Sequence, residues 1–259
     1  MAGFKNMGEV RHYAITVTYD GSEFHGSQLQ PKKRTVQEEL EKALSILTKE
    51  NVRIAAAGRT DSGVSAEKQI FTFLSSKVLE LQTIVNGLNF YLPEDVAVRG
   101  AWEVETNFSA RYNAKSRTYI YNMINTTVPP VLERKRVYWV RRALKLELMQ
   151  QAAALLLGER DFAAFQSGRK GTLRNTVRHM YRAEIETEGE RLRLIFEANS
   201  FLTHQVRNMA GAILSVGLGD LALDQMRNLM ENKIPGSFLC LPPYGLLLKS
   251  TNYEDHYGF

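Results

Sequence analysis

Two hydrophobic periods alternate along the first hundred residues, and no other feature limits the fold of this chain so strongly. His12 to Tyr19 switches between polar and apolar residues with Ile15 and Val17 on one face, as a strand does. Asp20-Gly21 ends it. Thr35 followed by Glu38 reads as a capping box, after which Val36, Leu40, Ala43, Leu44 and Leu47 recur at helical spacing and predict a helix from Val36 to Lys49. A strand runs into Gly58, Gln69 to Leu74 reads as another, Leu79 to Phe90 as a second helix stopped by Pro93, and Asp95 to Glu103 as a returning strand. Strand, helix, strand, loop, strand is an α/β plan, and 259 residues are enough for one large domain or two small ones.

The loop in that plan reads Gly58-Arg59-Thr60-Asp61-Ser62-Gly63-Val64-Ser65-Ala66 after a run of alanines. Glycines on either side of Arg59, Thr60 and Asp61 let the backbone turn tightly and let another chain approach closely. Asp61, with the cationic Arg59 two positions away, is a candidate nucleophile or base. The same residues also suit an ordinary Asp-Ser-Gly turn whose aspartate accepts backbone hydrogen bonds. Ahead of it, Ser22 to Arg34 gathers Phe24, His25 and Gln28 with the basic run Lys32, Lys33, Arg34. Cations beside rings suit RNA, and a solvated loop accounts for the run equally well.

The halves divide near Thr106, into residues 1–105 and 106–259. Beyond that point Phe108-Ser109-Ala110-Arg111-Tyr112 leads into a strand in which Arg111, Lys115 and Arg117 add charge, and Tyr119 and Tyr121 share one face. These tyrosines read either as base-stacking groups or as core. A helix from Leu146 to Leu157, a hairpin of Thr176 to Glu186 with Arg191 to Glu197, and a helix from Leu223 to Glu231 follow. Arg169, Lys170, Arg174, Arg178 and His179 form a cationic stretch that fits phosphate contacts or a solvated loop. From Ser200 to Gly219, His204, Arg207 and Asn208 interrupt an otherwise apolar helix at spacings of three and four. An arginine there is costly to bury unpaired, so it either finds an acid, Asp61 being the economical candidate, or snorkels to solvent.

Composition narrows the function classes. Hydrophobic residues make up 44% and charged residues 24%, a globular balance. Lys and Arg total 33 against 28 Asp and Glu, a formal net charge of +5, which favours a polyanionic partner without requiring one. Cys240 is the single cysteine, so neither an intrachain disulfide nor a cysteine-based zinc site can form, and a reducing, cytoplasmic location is the default. Lys5, Glu9, Arg11 and His12 interrupt any apolar leader, and no apolar run approaches the roughly 20 residues a bilayer demands, so a soluble protein without a membrane partner is expected. Walker A, HExxH, GxSxG and a strand-borne GxGxxG are absent, leaving no metal, no small-molecule cofactor and a lone aspartate as the chemistry to expect.

The Gly58-Arg59-Thr60-Asp61 loop resembles the catalytic loop of the tRNA pseudouridine synthase A (TruA) family. Five further segments resemble that family in the same order: Asn86 to Val96, Phe108 to Tyr121, Asp161 to Phe165, Phe201 to Gly211, and Pro242 to Leu248. The resemblance implies a pseudouridine synthase fold, an α/β (α+β) architecture of two similar halves sharing a central, mostly antiparallel sheet flanked by helices with an RNA-binding cleft between them. It implies conversion of uridine to pseudouridine in the anticodon stem-loop of tRNA, at positions 38–40, without a cofactor and by a homodimer. By the same resemblance Asp61 is the nucleophile, Arg207 its partner, Tyr119 the ring on the uracil, Arg59 the group filling the flipped base's place, Leu246 the pocket wall, and Arg111 and Arg117 RNA contacts. Two positions depart from the family pattern: Ser27 stands where relatives usually carry an aromatic residue, and Ser65 where bacterial members usually carry histidine. These leave open which uridines are accepted. A tRNA-binding factor without chemistry, and a synthase acting on another RNA, are the competing readings.

Overall fold

The computed structural model describes residues 10–167, 175–231 and 239–259. Two compact units emerge, one comprising residues up to Lys115 together with Ser250–Phe259, the other Ser116–Lys249.

In the first unit the strand expected at His12 is β1, Arg11–Tyr19, followed by α1 at Val36–Thr48, β2 at Ile54–Ala56, β3 at Ser65–Ser75, α2 at Leu81–Tyr91 and β4 at Val96–Val104. β1 lies between β3 and β4, antiparallel to both, with Ile15 opposite Phe71 on one side and Ala101 on the other. β2 joins β3 as the arms of a hairpin, Ala56 opposite Phe71, so the loop carrying Asp61 is the tip of that hairpin. Tyr19 pairs with Ala66, which brings the end of β1 to the root of the loop.

Both faces of β1 are covered. Tyr13, Ile15 and Val17 have no exposed surface, and Tyr13 stacks on Phe73 at 5.3 Å between ring centroids. The opposite face, through Ala14 and Ile70, packs with Phe108 and Ala110, and Tyr253, Tyr257 and Phe259 close over that group. A face that alternates in sequence is thus buried throughout, because residues from the far end of the chain supply its cover. Burying each such large apolar side chain stabilises the unit by roughly 1.5–3 kcal/mol.

Thr35 caps α1, its hydroxyl accepting from the Glu38 amide at 3.3 Å. The carboxylate of Glu38 pairs instead with Lys42 one turn on, at 3.0 Å. α1 ends at Lys49, which turns left-handed at φ 59°. The leucines of the sequence pattern face inward: Leu40 and Leu44 are fully buried, as are Ile84 and Leu88 of α2.

The second unit contains β5 at Ser116–Asn125, β6 at Tyr138–Val140, α3 at Leu146–Ala154, β7 at Gly158–Asp161, β8 at Val177–Glu188, β9 at Arg191–Ala198, α4 at Gln205–Leu218 and α5 at Leu223–Glu231, and it ends within β10, Leu246–Asn252, whose last three residues are counted with the first unit. β5, β9, β8 and β7 pair in that order, each antiparallel to the next, while the short β6 runs parallel to β5. β6 and β7 escape notice in sequence because three or four residues carry too little period to register. The α/β class and the mostly antiparallel pairing agree with expectation.

Two boundaries differ from the sequence reading in an instructive way. α3 stops at Ala154, where Leu155 to Leu157 tighten into a turn before Gly158 at φ 84°. α4 begins at Gln205, and His204 is its cap in the left-handed region, φ 60°, so His204 does not share a helical face with Arg207 and Asn208. The stretch Gly168 to Arg174, and with it the cations Arg169, Lys170 and Arg174, lies outside the described residues.

Candidate active site

Asp61 owes its position to the residues around it. Gly58 and Thr60, the neighbours of Arg59, are each fastened from beneath. The Gln69 side-chain amide donates to Gly58 O at 2.6 Å, and its carbonyl accepts from the Tyr19 hydroxyl at 2.5 Å. Tyr19 also bonds Thr60 Oγ1 at 2.7 Å. Ser27 grips the Thr60 backbone twice, its hydroxyl accepting from the Thr60 amide at 2.9 Å and its own amide donating to Thr60 O at 3.2 Å. Beyond Asp61, Ser62 and Gly63 both donate to Phe24 O at 3.2 Å, and the Val64 amide closes a turn on Asp61 O at 3.1 Å. Asp61 is half-buried and Arg59 exposed, on a backbone held on both sides.

Close approach requires glycine at two points here. A Cβ on Gly21 would stand 2.1 Å from Val64 O, and one on Gly26, at φ 90°, would stand 2.9 Å from Thr60 O. The segment from Asp20 to Ser27 therefore lies directly against the loop, and the Gly21 amide donates to Ser65 Oγ at 3.0 Å.

The basic run ahead of α1 has two parts. Arg34 makes a two-pronged pair with Asp95, at 2.7 and 2.8 Å, and its guanidinium lies 4.2 Å from the Phe24 ring centre. Hydrogen bonding to Asp95 is the largest influence on Arg34 and raises its pKa above the ordinary value. Phe24 is buried, so this arginine and ring belong to the fold, while Lys32 and Lys33 are exposed. Asp95 accepts further from the chain through its carbonyl, which takes the Asp20 amide at 3.0 Å. Arg111 stands exposed over Tyr112, 5.5 Å from its ring centre.

In the second unit a different set gathers. Arg207, half-buried on α4, donates from Nε to Leu241 O at 2.6 Å. A backbone carbonyl thus meets part of the need for a partner that burial creates. Tyr121 is fully buried and its hydroxyl donates to Pro242 O at 2.8 Å. Burial pushes its pKa far above the usual tyrosine value, Tyr244 and Tyr138 adding to the rise and Arg207 opposing it. Tyr121 therefore remains a neutral donor at any working pH. Tyr119, half-buried on the same strand, meets the Phe201 ring edge-on at 5.2 Å. Leu246, buried, opens β10 directly after the Pro243–Gly245 turn, and Arg117 reaches Asn199 O at 2.8 Å. Asn208 ties α4 to the Phe162-Phe165 segment by donating to Phe165 O at 2.8 Å and to Ser167 Oγ at 3.0 Å. Among the described residues no three side chains of His, Cys, Asp or Glu come together as a metal ion would require, and no helix is long and apolar enough to cross a membrane.

A family model described as tRNA pseudouridine synthase matches residues 15–113 and 152–254, which include the Asp61 loop, Arg207 and Leu246. The chain belongs to the tRNA pseudouridine synthase family. Among curated relatives of this synthase, tRNA pseudouridine synthase A 2 of Clostridium perfringens is 36% identical over 94% of this chain and all of its own length. The tRNA pseudouridine synthase A proteins of Shewanella amazonensis and Neisseria meningitidis are each 38% identical, over 95% and 96% of this chain and 94% of their own lengths.

Within this synthase the two departures from the family pattern acquire a physical account. Ser27, 1% exposed, is the clamp on Thr60, and Ser65 receives the Gly21 amide. Both serines brace the loop. Sequence reasoning had no sight of Tyr19, Ser27 and Gln69 as a group. One signal was available: Gln69 stands directly before the largely apolar run Ile70 to Leu74, and an amide carried into a core by such a run must find partners.

Proposed function

We propose that this member of the tRNA pseudouridine synthase family isomerises uridines on the 3′ side of the tRNA anticodon stem-loop, with Asp61 as nucleophile. The reaction breaks the C1′–N1 bond, turns the freed uracil and joins C1′ to C5; C5 gives up its proton to solvent and N1 takes one from solvent, so atoms and charge balance without a cofactor or redox partner. The target must leave the base stack, at a cost of a few kcal/mol. Asp61 is the group to hold or attack the sugar or base while the uracil is detached. Arg207 serves as its counter-charge, Tyr119 stacks on the uracil, Arg59 takes the vacated place in the stack, Leu246 walls the pocket, and Arg111 and Arg117 meet phosphates. A homodimer working in the cytoplasm completes the reading, carried by the resemblance.

The observation that supports Asp61 most directly is the loop itself: four buried side chains hold the backbone on which one half-buried carboxylate is displayed. Tyr121 is fully buried while Tyr119 keeps exposed surface, which favours Tyr119 as the ring that meets a base. The deciding experiment is tritium release from a tRNA transcript labelled at uridine C5, wild type beside Asp61→Ala, with filter binding on the same samples. We expect release by wild type alone and tRNA affinity within about tenfold, because the carboxylate serves chemistry and makes no phosphate contact. Appreciable release by Asp61→Ala would remove the nucleophile assignment.

A further inference from the structure

We infer that Tyr19, Thr60 and Gln69 form a directional hydrogen-bond relay that positions the catalytic loop, making these three residues positioning residues for the reaction proposed above. The inference rests on that reading of Asp61. Its basis is the order in which the protons must run. Gln69 Nε2 donates to Gly58 O at 2.6 Å, which fixes the amide orientation and turns Oε1 toward Tyr19. Tyr19 therefore spends its single hydroxyl proton on Gln69 Oε1 at 2.5 Å. Its oxygen can then only accept from Thr60 Oγ1 at 2.7 Å, so the Thr60 hydroxyl is the donor there. The relay runs from Thr60 to Tyr19 to Gln69 to Gly58 and closes on itself through Arg59, the one residue between its two ends.

All three side chains are shielded from water: Gln69 is 0%, Tyr19 3% and Thr60 7% exposed. In such surroundings an unmade hydrogen bond is costly, so the relay tolerates one arrangement only. It holds Gly58 and Thr60 at a set separation, and this dictates where Arg59 projects and where Asp61 begins. Gln69 and Tyr19 sit on β3 and β1, antiparallel partners in the sheet, so the loop takes its position from paired strands rather than from its own turn. A loop set by its own turn residues would have no need of a tyrosine 41 residues away.

The test uses the full-length protein with single-turnover tritium release, tRNA filter binding and thermal unfolding measured on each variant. Tyr19→Phe and Thr60→Val each break the relay without adding bulk, and Thr60→Ser keeps the hydroxyl. We expect the first two to lose about tenfold to a hundredfold in the single-turnover rate, the scale on which a misplacement of about 1 Å acts, with tRNA affinity changed less than about threefold. Thr60→Ser should restore most of the rate, and the double variant Tyr19→Phe, Thr60→Val should be no slower than the worse single variant, because one relay is broken only once. A wild-type rate in Tyr19→Phe or Thr60→Val, or losses that multiply in the double variant, would overturn the relay. If Tyr19→Phe does not fold, Thr60→Val against Thr60→Ser decides alone. Failure of the underlying reading has a separate signature, appreciable release by Asp61→Ala, whatever the relay variants do.

Discussion

Ser27 and Arg34 show how a single side chain changes meaning once its partners are known. Arg34 ends a basic run that suits a phosphate contact, yet two hydrogen bonds to Asp95 and the face of Phe24 occupy it. Ser27 has no evident chemistry, yet its hydroxyl supplies the acceptor for the Thr60 amide one residue before Asp61. Replacing Ser27 by alanine leaves that amide in a buried place without its acceptor, at a cost of about 1–3 kcal/mol. Urea unfolding of Ser27→Ala beside wild type measures it directly. An unchanged midpoint with an unchanged slope would mean that water reaches the Thr60 amide.

At the scale of elements, two helices contain glycines whose replacement should differ in cost. A Cβ on Gly211 of α4 would lie 1.9 Å from Leu239 O, a backbone atom with nowhere to go. On Gly87 of α2 it would lie 2.6 Å from Leu47 Cδ1, the free end of a side chain that can turn away. Alanine in a helix interior otherwise gains up to about 1 kcal/mol over glycine. Gly211→Ala should therefore lower stability by roughly 1–3 kcal/mol, and Gly87→Ala should come out near neutral. Parallel melting curves distinguish them, and a Gly211→Ala protein as stable as wild type would show that α4 does not press on the Leu239 carbonyl. The cap of α4 belongs to this scale too. His204 sits inside an apolar periodic run, and its left-handed backbone, invisible to periodicity, is what starts the helix one residue later.

Across the whole molecule the carboxylates set the response to acid. Burial acts to raise the pKa of Glu50, but hydrogen bonds from the Ser75 and Ser76 hydroxyls and the Ser76 amide outweigh it and hold the group below the ordinary carboxylate value. Arg191 lowers Glu133 and Lys115 lowers Glu254 in the same direction. A group whose pKa is depressed on folding adds stability above its unfolded value, about 4.3 for glutamate, and loses it as pH falls through the folded value. The Glu50 network joins the end of α1 to the end of β3, so Glu50→Gln should melt lower than wild type at pH 7, with the gap closing toward pH 3. A gap of constant size at both pH values would mean that ionisation of Glu50 contributes nothing to the fold.

Much of this protein was legible from order along the chain. Strand and helix periods depend on neighbours two to four residues apart, and they placed β1, α1, α2 and α5 to within about two residues. The motif Gly58-Arg59-Thr60-Asp61, joined in order by five later segments, pointed to the tRNA pseudouridine synthase family, to which the chain belongs. Tertiary structure alone decided which residues hold that motif in place. Tyr19 and Thr60 are 41 residues apart, Tyr19 and Gln69 50, and Ser27 and Thr60 33. It likewise decided that Tyr253, Tyr257 and Phe259 cover Phe108 beside β1. Hydrophobic periods are local and survive in the unfolded chain, whereas a buried hydrogen bond between distant residues exists only after packing has excluded water and left each donor one acceptor.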